Sequence, residues 1–209
     1  MSAAGAEVRA RNLRTLAALA ALAALFLLPL AMAFCTYYGT AWRPSAHLNH
    51  GELISPVRPL PAVALPRIAL EPAAPGAPPA TETPFRGRWS LVYVGAGDCD
   101  ADCRRALYVM RQTRLALNND MTRVERVFLV SRACCDRGFL AREHAGLVVL
   151  DADAQSADSL LALFPAAGRE HTLFVVDPLG NLMMSYDARG NPRGLLEDLK
   201  KLLRLSHIG

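Results

Sequence analysis

Arg88-Trp-Ser-Leu-Val-Tyr-Val-Gly95, followed by Ala96-Gly-Asp-Cys99-Asp-Ala-Asp-Cys103, is the stretch that decides the fold. Its first half is a short apolar run closed by glycine, the pattern of a buried strand. After it, Cys99, Cys103, Ala106, Leu107, Met110, Thr113 and Leu117 fall on one helical stripe that ends near Asn118-Asn119. Val124 to Val130 reads as a second strand and Leu147 to Leu150 as a short third. Ser156 is placed to cap a helix carrying Leu160, Leu161 and Phe164, stopped at Pro165. Thr172 to Val176 and Leu182 to Tyr186 flank the turn Asp177-Pro-Leu-Gly-Asn181 as a hairpin. Asn191-Pro192 opens a last helix with Leu195, Leu196, Leu199, Leu202 and Leu203 at core spacing. The order β-α-β-β-α-β-β-α predicts an α/β domain over residues 85–209, a mixed sheet flanked by helices.

Outside that domain the composition changes twice. Leu16 to Phe34 holds seven Leu, eight Ala, two Phe, Met32 and Pro29, without a charge. Nineteen residues at ~1.5 Å each match a hydrocarbon core of about 30 Å, so residues 16–36 are expected to be a single transmembrane helix. Arg9, Arg11 and Arg14 precede the run and only Arg43 soon follows it. The positive-inside rule then puts residues 1–15 in the cytoplasm, with Tyr37, Tyr38 and Trp42 at the outer interface. A cleaved signal peptide is the rival, since Ala31-Met-Ala33 is an acceptable cleavage site. Cys35 suggests lipidation, but Phe34 before it is too large for that processing. Either way the remainder faces an oxidising compartment. The Ala, Leu and Arg bias points to a bacterium, and so to the inner membrane with the domain in the periplasm.

Residues 37–84 hold ten of the fourteen prolines between Pro44 and Pro84. Proline fixes φ and removes a donor, so this stretch is expected to be an extended tether without a core. His47 and His50 could hold a metal at their spacing, but a solvated juxtamembrane segment explains them better. The formal charge of +4 is modest, and residues 85–209 carry 17 basic and 15 acidic side chains. No basic patch suited to nucleic acid remains. Five cysteines are too few for a disulfide-dense scaffold.

The cysteines gather where ligands bind in such sheets, at the carboxyl ends of the parallel strands. Cys99 and Cys103 open the first helix, where free N–H groups and the helix dipole favour thiolate. At four residues' spacing their sulfurs can close a disulfide or grip one ion. Asp98, Asp100 and Asp102 raise the cost of thiolate and favour a cation. Cys134 and Cys135 follow the second strand at the same edge. They read as a second redox pair, as extra soft ligands, or as plain loop thiols. A bond between the two adjacent cysteines is not expected. His144 is expected at the surface, and His207 lies in a tail.

One combination narrows these options. The pair Cys99-x3-Cys103 is followed much later by His171-Thr172, a strand and Asp177-Pro-Leu-Gly180. In thioredoxin-like redox proteins a cis-proline precedes that strand and faces the cysteines; here His171 stands in its place. The pattern resembles the SCO family, copper-delivery proteins for cytochrome c oxidase assembly, over about 60% of the chain. The resemblance implies a thioredoxin-like fold behind a membrane anchor, with Cys99, Cys103 and His171 as copper ligands. Two thiolates suit Cu(I), and an added imidazole lets a site hold Cu(II). The partner implied is the copper-site subunit of cytochrome c oxidase or another assembly factor. The sequence departs from the family at Asp100 and Arg104, where prolines are usual. It departs again at Ser131-Arg-Ala-Cys-Cys-Asp136, which replaces an acidic loop. Two readings without metal stand beside it. One is a thiol–disulfide oxidoreductase with Cys99 as nucleophile and Cys103 as resolver; the other is a scaffold stapled by a structural disulfide.

Overall fold

A computed structural model of the chain describes residues 3–39, 49–71, 80–153, 157–206 and 208. His47, Trp42, Ser156 and His207 fall outside the described residues. The chain divides into two units, 1–48 and 49–209. The first is the helix α1, Ala3–Gly39, which contains Pro29. Within it Asn12–Gly39 is long and apolar enough to cross a membrane. The helix extends beyond the expected span because Ala, Leu and Arg are strong helix formers that continue it past the apolar run.

In the second unit the strand and helix expectations hold closely, except that the helix expected to run as far as Phe164 ends at Leu161, and Phe164 lies in the turn beyond it. The strands are β1 (Glu52–Pro59), β2 (Leu65–Pro66), β3 (Thr81–Glu82), β4 (Trp89–Gly95), β5 (Val124–Val130), β6 (Val148–Asp151), β7 (Thr172–Val176) and β8 (Asn181–Asp187). The helices are α2 (Ala101–Leu115), α3 (Arg137–Glu143), α4 (Asp158–Leu161) and α5 (Pro192–Leu205). Six strands form one sheet in the order β1-β8-β7-β4-β5-β6, while β2 and β3 pair separately. β4, β5 and β6 run parallel, and β7, β8 and β1 continue the sheet antiparallel.

Both faces of the central strands are covered, which is why β4 is apolar without a break from Leu91 to Val94. Leu91 and Tyr93 point into one core with Leu107 and Met110 of α2 and Leu195, Leu199 and Leu203 of α5. Val92 and Val94 point into the other, with Phe85, Leu160, Phe164 and Phe174. Asn191 caps α5 by accepting a hydrogen bond from the Arg193 N–H at 3.0 Å.

Two expectations need correction. Part of the proline-rich stretch 37–84 is not a tether: β1 pairs with β8 across Leu53–Met184 and Arg58–Leu182. Leu60 and Leu65 beyond it are buried in the second core. An edge strand tolerates proline because one side of its backbone needs no ladder partner, so Pro56 and Pro59 conceal it. Only Ile54 of β1 is buried, which leaves no alternating pattern to read. The crossover between β5 and β6 also contains a helix, α3. It is seven residues long and buries only Leu140, too little for a periodic stripe.

His50 likewise belongs to the domain rather than to a solvated segment. Its N–H donates to Asp198 Oδ2 at 2.7 Å, and the neighbouring Gly51 N–H reaches the same oxygen at 3.1 Å. Gly51 is required there, because a Cβ would collide with the Tyr186 ring.

Candidate disulfide centre

The site is built by the loop that joins β4 to α2. β4 and β5 end level with each other, the Ser131 N–H donating to Gly95 O at 2.9 Å. The chain then turns through Ala96-Gly97-Asp98 to Cys99, whose φ of 42° is in the left-handed region. Asp100 caps α2, its carboxylate accepting from the Cys103 N–H at 3.0 Å. Cys99 is therefore not on the helix as its spacing implied; the loop carries it back over the first turn. The two cysteines form a disulfide with Cα atoms 5.0 Å apart. Cys99 is 4% exposed and Cys103 2%, so the bond is nearly sealed.

The turn is possible because residue 97 is glycine. A Cβ there would collide with the Ala133 carbonyl oxygen and lie 2.6 Å from Cys134 Cα. Both obstacles are backbone, so Gly97→Ala is expected to cost about 1–3 kcal/mol, as overpacking does, and to push the two cysteine loops apart. Thermal unfolding of the variant checks the cost.

Arg104 links the Cys99 loop to α3. Its Nε–H donates to Cys99 O at 3.2 Å, and its guanidinium lies 4.6 Å above the Phe139 ring of α3. On the other side, the Tyr93 hydroxyl donates to Glu170 O at 2.8 Å. Burial above all, and then the carboxylates of Asp100, Asp102, Glu170 and Asp98, hold that hydroxyl well above its ordinary pKa. Tyr93 thus remains a neutral donor that joins the cysteine loop to the turn carrying His171. The sequence presents it only as one more apolar strand residue.

His171 ends a 3-10 turn, Arg169–His171, that packs against α2. The antiparallel register pairs Tyr93 with Leu173. Stepping outward by that register, His171 comes level with Gly95, at the sheet edge that holds Cys99. The ring is engaged locally: Nδ1 lies 3.5 Å from Glu170 Oε1, and Nε2 faces Gly168. Cys99, Cys103 and His171 thus share one edge of the sheet as expected. Among the described residues, however, no three His, Cys, Asp or Glu side chains are grouped as a metal site. With the sulfurs bonded and the imidazole beside Glu170, these three side chains are not arranged as a metal site; holding copper would need Cys99 and Cys103 as free thiols.

Two further expectations change. Cys134 and Cys135 are bonded to each other. His144 is not at the surface: it is 3% exposed and edge-on to Phe139 at 5.3 Å. Burial chiefly, with Arg111 and Arg126 adding to it, lowers its pKa to about 4, so it is a neutral core residue.

A parallel-to-antiparallel sheet with a cysteine pair at the mouth of its first long helix defines a thioredoxin-like dithiol domain. The chain belongs to the family described as transmembrane-like, thioredoxin-like, C-terminal domain, which matches residues 89–206. Among solved structures, apo Sco1 from Thermus thermophilus is 17% identical with a TM-score of 0.53, covering 76% of this chain and 99% of its own. Yeast Sco1 is 13% identical with a TM-score of 0.51, covering 70% and 100%. Yeast Sco1 with copper bound is also 13% identical, with a TM-score of 0.50, covering 69% and 94%. At such identity the likeness establishes the fold, which is the fold the SCO resemblance implied. No curated protein matches the sequence.

Proposed function

We propose that this chain is a membrane-tethered thiol–disulfide protein that sets the redox state of cysteines in a partner undergoing copper-site assembly. The observation that supports it is the Cys99–Cys103 bond, closed between the loop after β4 and the first turn of α2. In the reducing direction, one thiolate of the pair attacks a sulfur of the partner's disulfide. The other thiolate then attacks the mixed disulfide and releases the partner as a dithiol. Two electrons and two protons pass to the partner, and the Cys99–Cys103 bond returns. The SCO resemblance makes the copper-site subunit of cytochrome c oxidase, or another assembly factor, the partner proposed. Arg9, Arg11 and Arg14, within α1 ahead of its apolar run, support a cytoplasmic amino terminus, with the domain on the periplasmic side of a bacterial inner membrane.

Copper carriage is the second reading, favoured by the register that brings His171 level with Gly95. It requires the Cys99–Cys103 bond to be reduced and the His171 ring to leave Glu170. The full chain in detergent, assayed with a disulfide-bonded peptide, separates the two. Turnover undiminished by a copper chelator is the result expected for the thiol reading. Absence of turnover, together with Cu(II) binding to the reduced chain that His171→Ala removes, selects copper carriage instead.

A further inference from the structure

A reductant's access to the oxidised pair poses a problem, since both sulfurs of the Cys99–Cys103 bond are buried. The second cysteine pair lies where it can solve it. Cys134 is exposed, whereas Cys135 is half-buried and packs on the core cluster that includes Cys99 and Cys103. The Gly97 loop touches the backbone at Ala133 and Cys134. That contact puts Gly97 Cα about 4 Å from Cys134 Cα, and two more residues span at most about 7 Å. Cys99 Cα is thus within roughly 11 Å of Cys134 Cα, against about 4.4–6.8 Å in a disulfide. A shift of about 4–5 Å in an exposed loop closes the difference. Arg104 ties the Cys99 loop to α3, which follows Cys135, bonded to Cys99 O and stacked on Phe139.

From this placement we propose that Cys134 and Cys135 are the entry point of an internal relay, passing reducing equivalents from a partner's dithiol to the buried Cys99–Cys103 bond. The inference rests on the thiol–disulfide reading given above. A partner thiolate attacks Cys134 Sγ and releases Cys135 as thiolate; the partner's second thiolate then attacks the partner sulfur of the mixed disulfide and releases Cys134, so that Cys134 and Cys135 become thiols. The Cys134 thiolate attacks Cys99 Sγ and releases Cys103 as thiolate. The Cys135 thiolate then attacks Cys134 Sγ and releases Cys99. The partner's dithiol has become a disulfide, and Cys99 and Cys103 have gained its two electrons and two protons. The vicinal bond is restored at the end of each cycle.

The test uses the oxidised full chain carrying Cys35→Ser, mixed in detergent with reduced thioredoxin as the dithiol. Thiols are alkylated at successive times and assigned by peptide mass. Cys134 and Cys135 are expected to be labelled before Cys99 and Cys103. In Cys134→Ser/Cys135→Ser, reduction of the Cys99–Cys103 bond should slow at least tenfold while its equilibrium potential stays the same. Cys135→Ser alone should accumulate a Cys99–Cys134 disulfide. An undiminished rate in the double variant overturns the relay and leaves the thiol–disulfide reading standing. A wild-type Cys99–Cys103 bond that thioredoxin cannot reduce overturns both.

Discussion

Replacing Cys99 and Cys103 together by serine is expected to lower exchange with a disulfide-bonded peptide at least a hundredfold and to leave the domain folded. The size of the loop they close decides the second half of that expectation. In the chain-entropy account a loop of about five residues contributes roughly 2 kcal/mol. For a domain of this size such a loss lowers Tm by about 4–8 °C, well short of unfolding it. The core that surrounds the pair, from Leu91 and Tyr93 to Leu195 and Leu199, does not depend on the bond. A scaffold role predicts the reverse: large loss of stability in the serine variant, with no exchange in the wild type to lose. Thermal unfolding and peptide-reduction rates, measured on the same variant, separate the two.

Asp198→Ala is expected to have the largest effect on stability, about 3–5 kcal/mol, because it strands several buried donors at once. Asp198 is 4% exposed on α5. It accepts from the Tyr186 hydroxyl at 2.6 Å, from the His50 and Gly51 N–H groups, and meets His50 Nδ1 at 3.2 Å. These bonds fasten the start of β1 to β8 and α5, so amide exchange in residues 50–54 should accelerate first. Tyr186→Phe removes only one donor and should cost about 1–2 kcal/mol.

The same carboxylate gives a pH dependence of definite sign. Burial alone would raise the pKa of Asp198, but the bonds from Tyr186, Gly51 and His50 outweigh it and hold the carboxyl below its ordinary value. A folded pKa below the unfolded one contributes stability that is complete above the unfolded value, about 3.9. That contribution is lost as pH falls through the folded pKa. Denaturant midpoints should therefore fall below about pH 4 in the wild type, and fall less steeply in Asp198→Asn.

The parts of the fold that were legible are those where local pattern and tertiary role agree. Val124–Val130 and Thr172–Val176 are central strands covered on both faces, and they begin and end where the sequence reading put them. The helix from Ala101 carries a full stripe, and its cap, Asp100, stands beside the cysteines that draw attention to it. Strand β1 was hidden because its partners lie far along the chain and its prolines imitate a linker. The contact of His50 with Asp198 spans 148 positions, and no local spacing encodes it.

The site divides in the same way. Cys99 and Cys103 are legible because a disulfide between residues four apart is a local event. That Gly97 must be glycine is set by Ala133 and Cys134 across the sheet edge, and the closeness of the two cysteine loops follows from it. His171 was placed at the right edge by its position before a strand. The direction of its ring depends on Glu170 and Gly168, which the spacing from the cysteines does not contain.

The reduction potential of the Cys99–Cys103 bond in the full chain tests the central claim most directly. It is obtained by equilibrating the protein with thiol–disulfide buffers and counting alkylated cysteines at each poise. Pairs that work by exchange lie between about −120 and −270 mV, whereas structural disulfides of exported proteins lie below about −300 mV. A value within the first range is the result predicted here. A value below −300 mV would contradict it and make the bond a staple.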